Sequence, residues 1–241
     1  MQVHSQTDVG LVRPQNEDAC ETGLLNGGAF AVVCDGMGGA NGGDVASQLA
    51  VESISRQILE AAQLNFSGQT MEQLLYEIIL RANAEIYAAA QRNPELKGMG
   101  TTVVAVVALN HAAYIAHAGD SRAYLYRNGE LTQITTDHSM VQELIENGDL
   151  TEEQAKVYPQ KNIITRALGV HSTVEIDYRE LPLLENDRIL ICTDGLTNYA
   201  EAEQIKALAQ YADSAFLAKN LIGLAKQNGG GDNITVAILD N

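Results

Sequence analysis

One stretch constrains this chain more than any other: Ala31-Val32-Val33-Cys34-Asp35-Gly36-Met37-Gly38-Gly39-Ala40-Asn41-Gly42-Gly43. A short apolar run bounded by turn residues reads as a buried strand. An aspartate at its end stands where a rigid scaffold meets solvent. The glycines beyond it let backbone amides and carbonyls approach a ligand closely, because no Cβ intervenes. The design recurs in Ile189-Leu190-Ile191-Cys192-Thr193-Asp194-Gly195. Asp120, in His117-Ala118-Gly119-Asp120-Ser121, and Asp232, in Gly229-Gly230-Gly231-Asp232-Asn233, punctuate two further apolar runs. Four aspartates at four expected strand ends, far apart in sequence, argue for one shared oxygen-ligand site.

The chain has 241 residues, 46% of them hydrophobic, enough for a substantial core in one domain. Fifteen basic residues against 31 acidic ones leave a formal charge of −16. That balance disfavours nucleic acid, which needs clustered Lys and Arg, and it repels anionic lipid. No apolar run is long enough to span a bilayer and the N-terminus has no secretory pattern, so we expect a cytoplasmic protein with no membrane partner, and a monomer. Cys20, Cys34 and Cys192 form no CxxC pair, and two of them lie inside apolar runs. They read as small buried hydrophobes rather than zinc ligands or a catalytic thiol.

Periodicity predicts the elements. Residues 1–9 alternate weakly, as an edge strand does, and 18–24 and 29–35 form a hairpin about Asn26-Gly27. A helical period opens at Asp44 and runs to about Leu59; a second helix covers about Thr70 to Arg92, with Thr70 as its N-cap. Thr101–Leu109, Ala112–Ala118, Arg122–Arg127 and Glu130–Ile134 read as an antiparallel meander. Short helices follow at Met140–Asn147 and Thr151–Tyr158, then a strand at Val174–Tyr178 and another ending at Asp194. Two helices near 201–210 and 214–228 and a strand at 233–239 close the chain. Hairpins interspersed with helix pairs predict an α+β fold, antiparallel sheets with a helix layer on each side.

Carboxylates without nearby His or Cys select hard ions, Mg²⁺ or Mn²⁺ over Zn²⁺. Four are enough for two ions, about 3.5–4 Å apart in hydrolases of this kind, which acidify a bridging water and aim it at phosphorus. The fork of Arg13 suits phosphoryl oxygens. No Gly-x-Ser-x-Gly elbow and no Gly-x-x-x-x-Gly-Lys-Ser/Thr loop is present.

Taken together, Thr7-Asp8-Val9-Gly10 with Arg13, Asn16, Glu17 and Asp18; Asp35-Gly36-Met37-Gly38-Gly39; Gly98-Met99-Gly100-Thr101-Thr102; His117-Ala118-Gly119-Asp120-Ser121-Arg122; Thr136-Asp137-His138-Ser139; Cys192-Thr193-Asp194-Gly195-Leu196; and Gly231-Asp232-Asn233-Ile234-Thr235 resemble the ordered motifs of the metal-dependent protein phosphatases, the PPM or type 2C family. The likeness covers nearly the whole chain. Its compactness is most similar to the bacterial serine/threonine phosphatases that oppose membrane-anchored kinases.

The resemblance implies an α-β-β-α sandwich, two antiparallel sheets face to face with helices on both sides. It implies a single phosphatase domain over 1–241, with a flap at about 139–170. It also implies direct attack by metal-bound water on phosphoserine and phosphothreonine of phosphorylated proteins, a cognate Ser/Thr kinase among them. By position, Asp35 and the Gly36 carbonyl bind the paired Mn²⁺ or Mg²⁺ ions and Asp194 and Asp232 complete the shell. Asp120 with Asp194 holds a third ion. Arg13 binds phosphate, Glu17 and Asp18 orient metal-bound water, and Asn233 supports Asp232. One position departs from the family: Ala40 stands where members usually carry a histidine, the proposed general acid.

Other sites read more plainly. Asp137, in Thr136-Asp137-His138-Ser139, reads as a helix cap. His117 and His138 have no clustered partner in the sequence and read as core or hydrogen-bonding residues, while His4, His111 and His171 read as surface. Arg122 and Arg166 read as structural ion pairs, with a substrate role for Arg166 in the flap as the less favoured alternative. Two other classes stay open: a weakened PPM-fold adaptor or sensor, against which the retained aspartates argue, and a Ca²⁺-binding structural module, which no EF-hand loop or nonapeptide repeat supports.

Overall fold

The computed structural model describes every residue except Ala212, and every side chain in its helices and strands except those of Gly39, Ala40, Asn41 and Lys156. The side chain at the departing position, Ala40, therefore lies outside the described residues. The chain opens with β1 (Gln2–Asp8) and a hairpin of β2 (Asp18–Leu25) and β3 (Gly28–Met37). Two long helices follow, α1 (Gly39–Gln63) and α2 (Met71–Arg92), then a 3-10 turn at Pro94–Leu96. Next come β4 (Gly100–Thr101), β5 (Val103–Leu109), β6 (Ala112–Ala118), β7 (Arg122–Arg127) and β8 (Glu130–Gln133). After α3 (Met140–Glu146) and α4 (Glu152–Lys156) come β9 (Asp177–Pro182) and β10 (Arg188–Cys192), then α5 (Asp194–Thr197), α6 (Ala202–Ala209), α7 (Ser214–Gln227) and β11 (Ile234–Asp240).

The strands make two antiparallel sheets, β1-β11-β10-β7-β8 and β2-β3-β5-β6-β9, with β4 added to β3. Side chains alternate across a strand, and β3 shows what that does here. Ala29, Ala31 and Val33 pack between the sheets with Val104, Ile115, Ile189 and Leu239. Phe30, Val32 and Cys34 turn outward, under Ile54 and Ile58 of α1 and Leu75 and Ile79 of α2. On the other outer face Leu190 and Ile238 meet Leu217 and Leu221 of α7. Each fully buried Leu or Ile contributes roughly 1.5–3 kcal/mol, so three stacked apolar layers fix the α-β-β-α order. No helix among the described residues is long and apolar enough to cross a membrane.

Several boundaries differ from the sequence expectation. The helix expected from Asp44 begins at Gly39, because its glycines serve close packing rather than loop freedom: a Cβ on Gly42 would sit 2.9 Å from the Met99 side chain, and one on Gly43 2.8 Å from the Glu17 carboxyl. The strand expected at Val174–Tyr178 lies at Asp177–Pro182, since Val174 and Ile176 are apolar for the layer under α2. The expected meander is two hairpins in different sheets. The chain crosses from β6 to β7 through Gly119, whose φ of 114° suits glycine, and that crossing presents Asp120.

Candidate active site

At one end of the sandwich a cavity of about 620 Å³ is lined by Arg13, Glu17, Asp35, Gly36, Asp120, Asp194, Asp232 and Asn233, among others. Eight of the nine site residues expected from sequence thus meet in one place, and the ninth, Asp18, is buried behind them as the cross-strand neighbour of Asp35. Their settings are more varied than four strand ends. Asp35 lies within β3, Asp120 on the crossing between sheets, Asp194 as the first residue of α5, and Asp232 two residues before β11.

Threonines fix the geometry. The Asp35 amide donates to Thr102 Oγ1 at 2.9 Å, and the Asp35 carbonyl accepts from Thr101 Oγ1 and the Thr102 amide, both at 2.9 Å. Thr102 Oγ1 also bonds Ser121 Oγ at 2.8 Å, tying β3 to the crossing. Asp18 Oδ2 accepts from Thr193 Oγ1 at 2.9 Å and Thr235 Oγ1 at 2.7 Å. None of these threonines received a role from sequence, although each adjoins a glycine- or aspartate-bearing motif, and that adjacency was the available signal. Glycines close the frame: a Cβ on Gly36 would run into the Gly43 carbonyl, and one on Gly195 into that of Asn233.

Asn233 meets Asp232 through its backbone amide, and its side chain does something further. Its side chain donates to the carbonyls of Val9 and Gln15, both at 3.0 Å, and accepts from the Glu17 amide at 2.8 Å, so it stitches the Arg13 loop to the cavity. Asp232 Oδ1 accepts from the Asn233 backbone amide at 2.9 Å. Arg13 grips the same carboxylate twice, Nη2 to Oδ2 and Nε to Oδ1, each at 2.9 Å.

Electrostatically the site is under tension. Burial pushes Asp18 up to about 7, helped by Asp194 and Asp232, and Asp120 up to about 7, helped by Asp194. Burial with Asp232 pushes Asp194 up to about 6, and burial with Asp18 and Asp194 holds Asp35 well above the usual range. Burial also raises Glu17, with Arg13 opposing. Crowded carboxylates in a water-poor site resist ionisation unless cations offset them. Asp18 Oδ1 is buried with no hydrogen-bond partner. An all-oxygen donor set with an orphaned carboxylate oxygen fits hard divalent ions such as Mg²⁺ or Mn²⁺.

A second titratable cluster lies apart. His117 and His138 stack at 4.6 Å, and ligand atoms of the two rings and Asp177 lie within 4.8 Å of one another, so the expectation that neither histidine has a clustered partner fails. The fold, not the sequence, brings β6, the β8–α3 loop and β9 together. His138 Nδ1 accepts from the Gly119 amide at 3.1 Å, which leaves its proton on Nε2, facing Asp177. Arg166 Nη1 sits 3.0 Å from that Nε2 and donates to Asp177 at 2.7 Å. A histidine that ligates through Nε2 must keep its proton on Nδ1. The Gly119 amide forbids that, and Arg166 already supplies the charge, so the cluster is a hydrogen-bonded support. Arg122 is likewise structural, bound to Asp137 through Nε and Nη2. Asp137 is therefore no cap; Ser139 caps α3, accepting from the Gln142 amide at 3.3 Å. Of the expected surface histidines, His111 and His171 are exposed and His4 is half-buried.

A crowded carboxylate cradle with one forked cation, at the end of a helix-covered β-sandwich, is the site of a phosphate-ester hydrolase. The family model described as Protein phosphatase 2C matches residues 13–227. The serine/threonine phosphatase stp of Listeria innocua is 40% identical over 255 residues, 100% of this chain and 96% of that protein. The crystal structure of the Mycobacterium tuberculosis serine/threonine phosphatase PstP superposes with a TM-score of 0.91 at 37% identity, over 99% of this chain and 97% of that one. The catalytic domain of PstP in complex with two manganese ions gives 0.88 at 36% identity, over 99% and 97%. The chain belongs to the protein phosphatase 2C family and is a serine/threonine protein phosphatase of that type.

Proposed function

We propose that this phosphatase hydrolyses phosphoserine and phosphothreonine in proteins with two Mn²⁺ or Mg²⁺ ions held by Asp35, the Gly36 carbonyl, Asp194 and Asp232. Asp120 with Asp194 would hold a third. The supporting observation is the set of carboxylates sharing one cavity, with the proton affinities of Asp35, Asp120 and Asp194 raised and Asp18 Oδ1 behind them left without a partner. When bound, the ions supply an acidified bridging water as nucleophile and positive charge for phosphoryl oxygens. Arg13, on the cavity rim, orients the phosphoryl group through its planar fork. Glu17 and Asp18 would orient metal-bound water, and in the metal-free site burial raises the proton affinity of both. The segment 139–170 would act as a flap within one domain. The natural substrates would include a kinase that the enzyme opposes, and the enzyme would act as a monomer.

The test is hydrolysis of an aryl phosphate and a phosphothreonine peptide, with Mn²⁺ and with EDTA, in the wild type, Asp194→Asn and Ala40→His. Mn²⁺-dependent turnover of both substrates, lost in Asp194→Asn, is expected. Ala40→His should speed the peptide selectively, since only its alkoxide leaving group needs a proton and general-acid help is worth up to about 10²–10⁴-fold. No turnover with any divalent ion would overturn the proposal and leave an adaptor.

A further inference from the structure

His138 is buried beside the crossing that presents Asp120, and it grips that crossing twice. Its backbone amide donates to the Gly119 carbonyl at 2.9 Å, and its ring Nδ1 accepts from the Gly119 amide at 3.1 Å. Both polar groups of one glycine thus end on one residue. Gly119 needs that hold. At a φ of 114° no side chain of its own restrains it, and a Cβ there would sit 2.6 Å from the Thr102 side chain, so no stiffer residue fits. Rotation about Gly119 would swing the next residue, Asp120. On the far side Ser121 is tied to Thr102 by their 2.8 Å hydroxyl contact. Asp120 therefore stands between two anchors, and His138 supplies one of them. The ring is itself oriented. It stacks on His117 with an interplanar angle of 8°, and its Nε2 faces Asp177 Oδ2 at 3.4 Å, while Arg166 holds Asp177 at 2.7 Å. A neutral ring with its proton on Nε2 presents a lone pair to Gly119. Asp194, the other carboxylate assigned to the third ion, has separate support, since Asn198 Nδ2 donates to its Oδ2 at 2.8 Å. Groups behind a ligand set its orientation, and with it the affinity for the ion.

We propose that His138 is the positioning residue for Asp120. By holding the amide and the carbonyl of Gly119 it aims the Asp120 carboxylate at the place shared with Asp194, so the affinity of that cation depends on a ring that is not itself a ligand. This rests on the phosphatase reading above and names what sets the occupancy of its third ion.

The experiment compares His138→Asn with His138→Gln. Asn places its carbonyl oxygen where Nδ1 stands and accepts from the Gly119 amide; Gln extends toward the Nε2 side and leaves that amide without an acceptor. Exchange of the Gly119 amide is followed by NMR in the metal-free protein. Mn²⁺ binding is followed by calorimetry, the Asp120 step being the one that Asp120→Ala removes. Gly119 is expected to stay protected in the wild type and in His138→Asn, and to exchange about tenfold faster in His138→Gln. The Asp120 step should weaken about three- to tenfold in His138→Gln, the range of one lost hydrogen bond, and recover in His138→Asn. The other Mn²⁺ steps should be unchanged in both, and His138→Gln added to Asp120→Ala should weaken them no further. In the wild type, the ring nitrogen shifts of His138 should show Nε2 protonated and Nδ1 bare, and the reverse tautomer would overturn the proposal even if no variant folds. It is also overturned if Asn and Gln behave alike, if every Mn²⁺ step weakens together, or if Asp120→Ala removes no step. Mn²⁺-dependent turnover of an aryl phosphate by the wild type, alongside any of those results, would leave the phosphatase reading standing without this role for His138. Its absence would remove the phosphatase reading itself.

Discussion

Arg13 and Asp232 occupy each other through two contacts of 2.9 Å, yet each has another proposed use, phosphoryl binding for the guanidinium and cation binding for the carboxylate. The pair therefore competes with both ligands, and metal entry should release the arginine. Their side chains are 48% and 28% exposed, which limits the pair to about 0.5–1 kcal/mol. Arg13→Ala should then tighten Mn²⁺ binding about two- to fivefold by calorimetric titration while raising KM for an aryl phosphate. Weaker Mn²⁺ binding in that variant would show that Arg13 helps to hold the site and does not close it. Gly36→Ala makes the opposite kind of statement, since its methyl would occupy the space of the Gly43 carbonyl. That variant should lose Mn²⁺-dependent turnover outright, and full activity would mean the frame around Asp35 is looser than its hydrogen bonds indicate. Asp35, Asp120, Asp194 and Asp232 were legible because each is announced by an apolar run and a glycine, whereas Asp18 came only from the family resemblance. The threonines that hold them were not, because a buried hydroxyl and a surface hydroxyl look alike in sequence.

Among elements, the long helices were legible apart from the start of α1, whereas the short α5 and the sheet assignments were not. The stripe along α2 and its Thr70 cap follow from local spacing, and the structure has both, with Thr70 Oγ1 accepting from the Gln73 amide at 3.2 Å. Whether β6 and β7 share a sheet depends on partners far along the chain, β5 and β10, which no window of residues contains. Asn83 is the polar interruption in the buried face of α2. It accepts from the Gly169 amide at 2.8 Å and donates to the His171 carbonyl at 3.2 Å, pinning the exit of the 139–170 segment. Asn83→Ala would bury the Gly169 amide without a partner and should cost about 1–3 kcal/mol in urea unfolding. Gly223, inside α7 with nothing near a would-be Cβ, should behave in reverse. Gly223→Ala is expected to add about 0.5–1 kcal/mol, and a loss there would reveal a neighbour that the packing does not show.

Across the whole molecule, the acidic surplus and the carboxylate cavity act in one direction on the metal-free protein. In the unfolded chain the site aspartates titrate near their ordinary value of 3.8, whereas in the fold Asp18 and Asp120 rise to about 7 and Asp194 to about 6. Between those limits the native state holds protons that the unfolded state has released, so stability falls as pH rises through the window. His138 acts oppositely: burial with His117 lowers it to about 4, so its contribution is complete above about pH 6.5 and is lost on acidification. The interval from about pH 6.5 to 8 therefore isolates the carboxylates. Metal-free protein should show a falling Tm across it, and Mn²⁺, which takes the place of the protons, should raise Tm more at the upper end than at the lower. General self-repulsion of the −16 charge would give a similar fall, but added salt screens exposed charges and leaves buried ones largely unscreened. The expected result is a decline that persists in high salt and disappears with Mn²⁺. A decline that salt alone removes, or a Mn²⁺ increment equal at both ends, would assign the instability to the surface and not to the cavity.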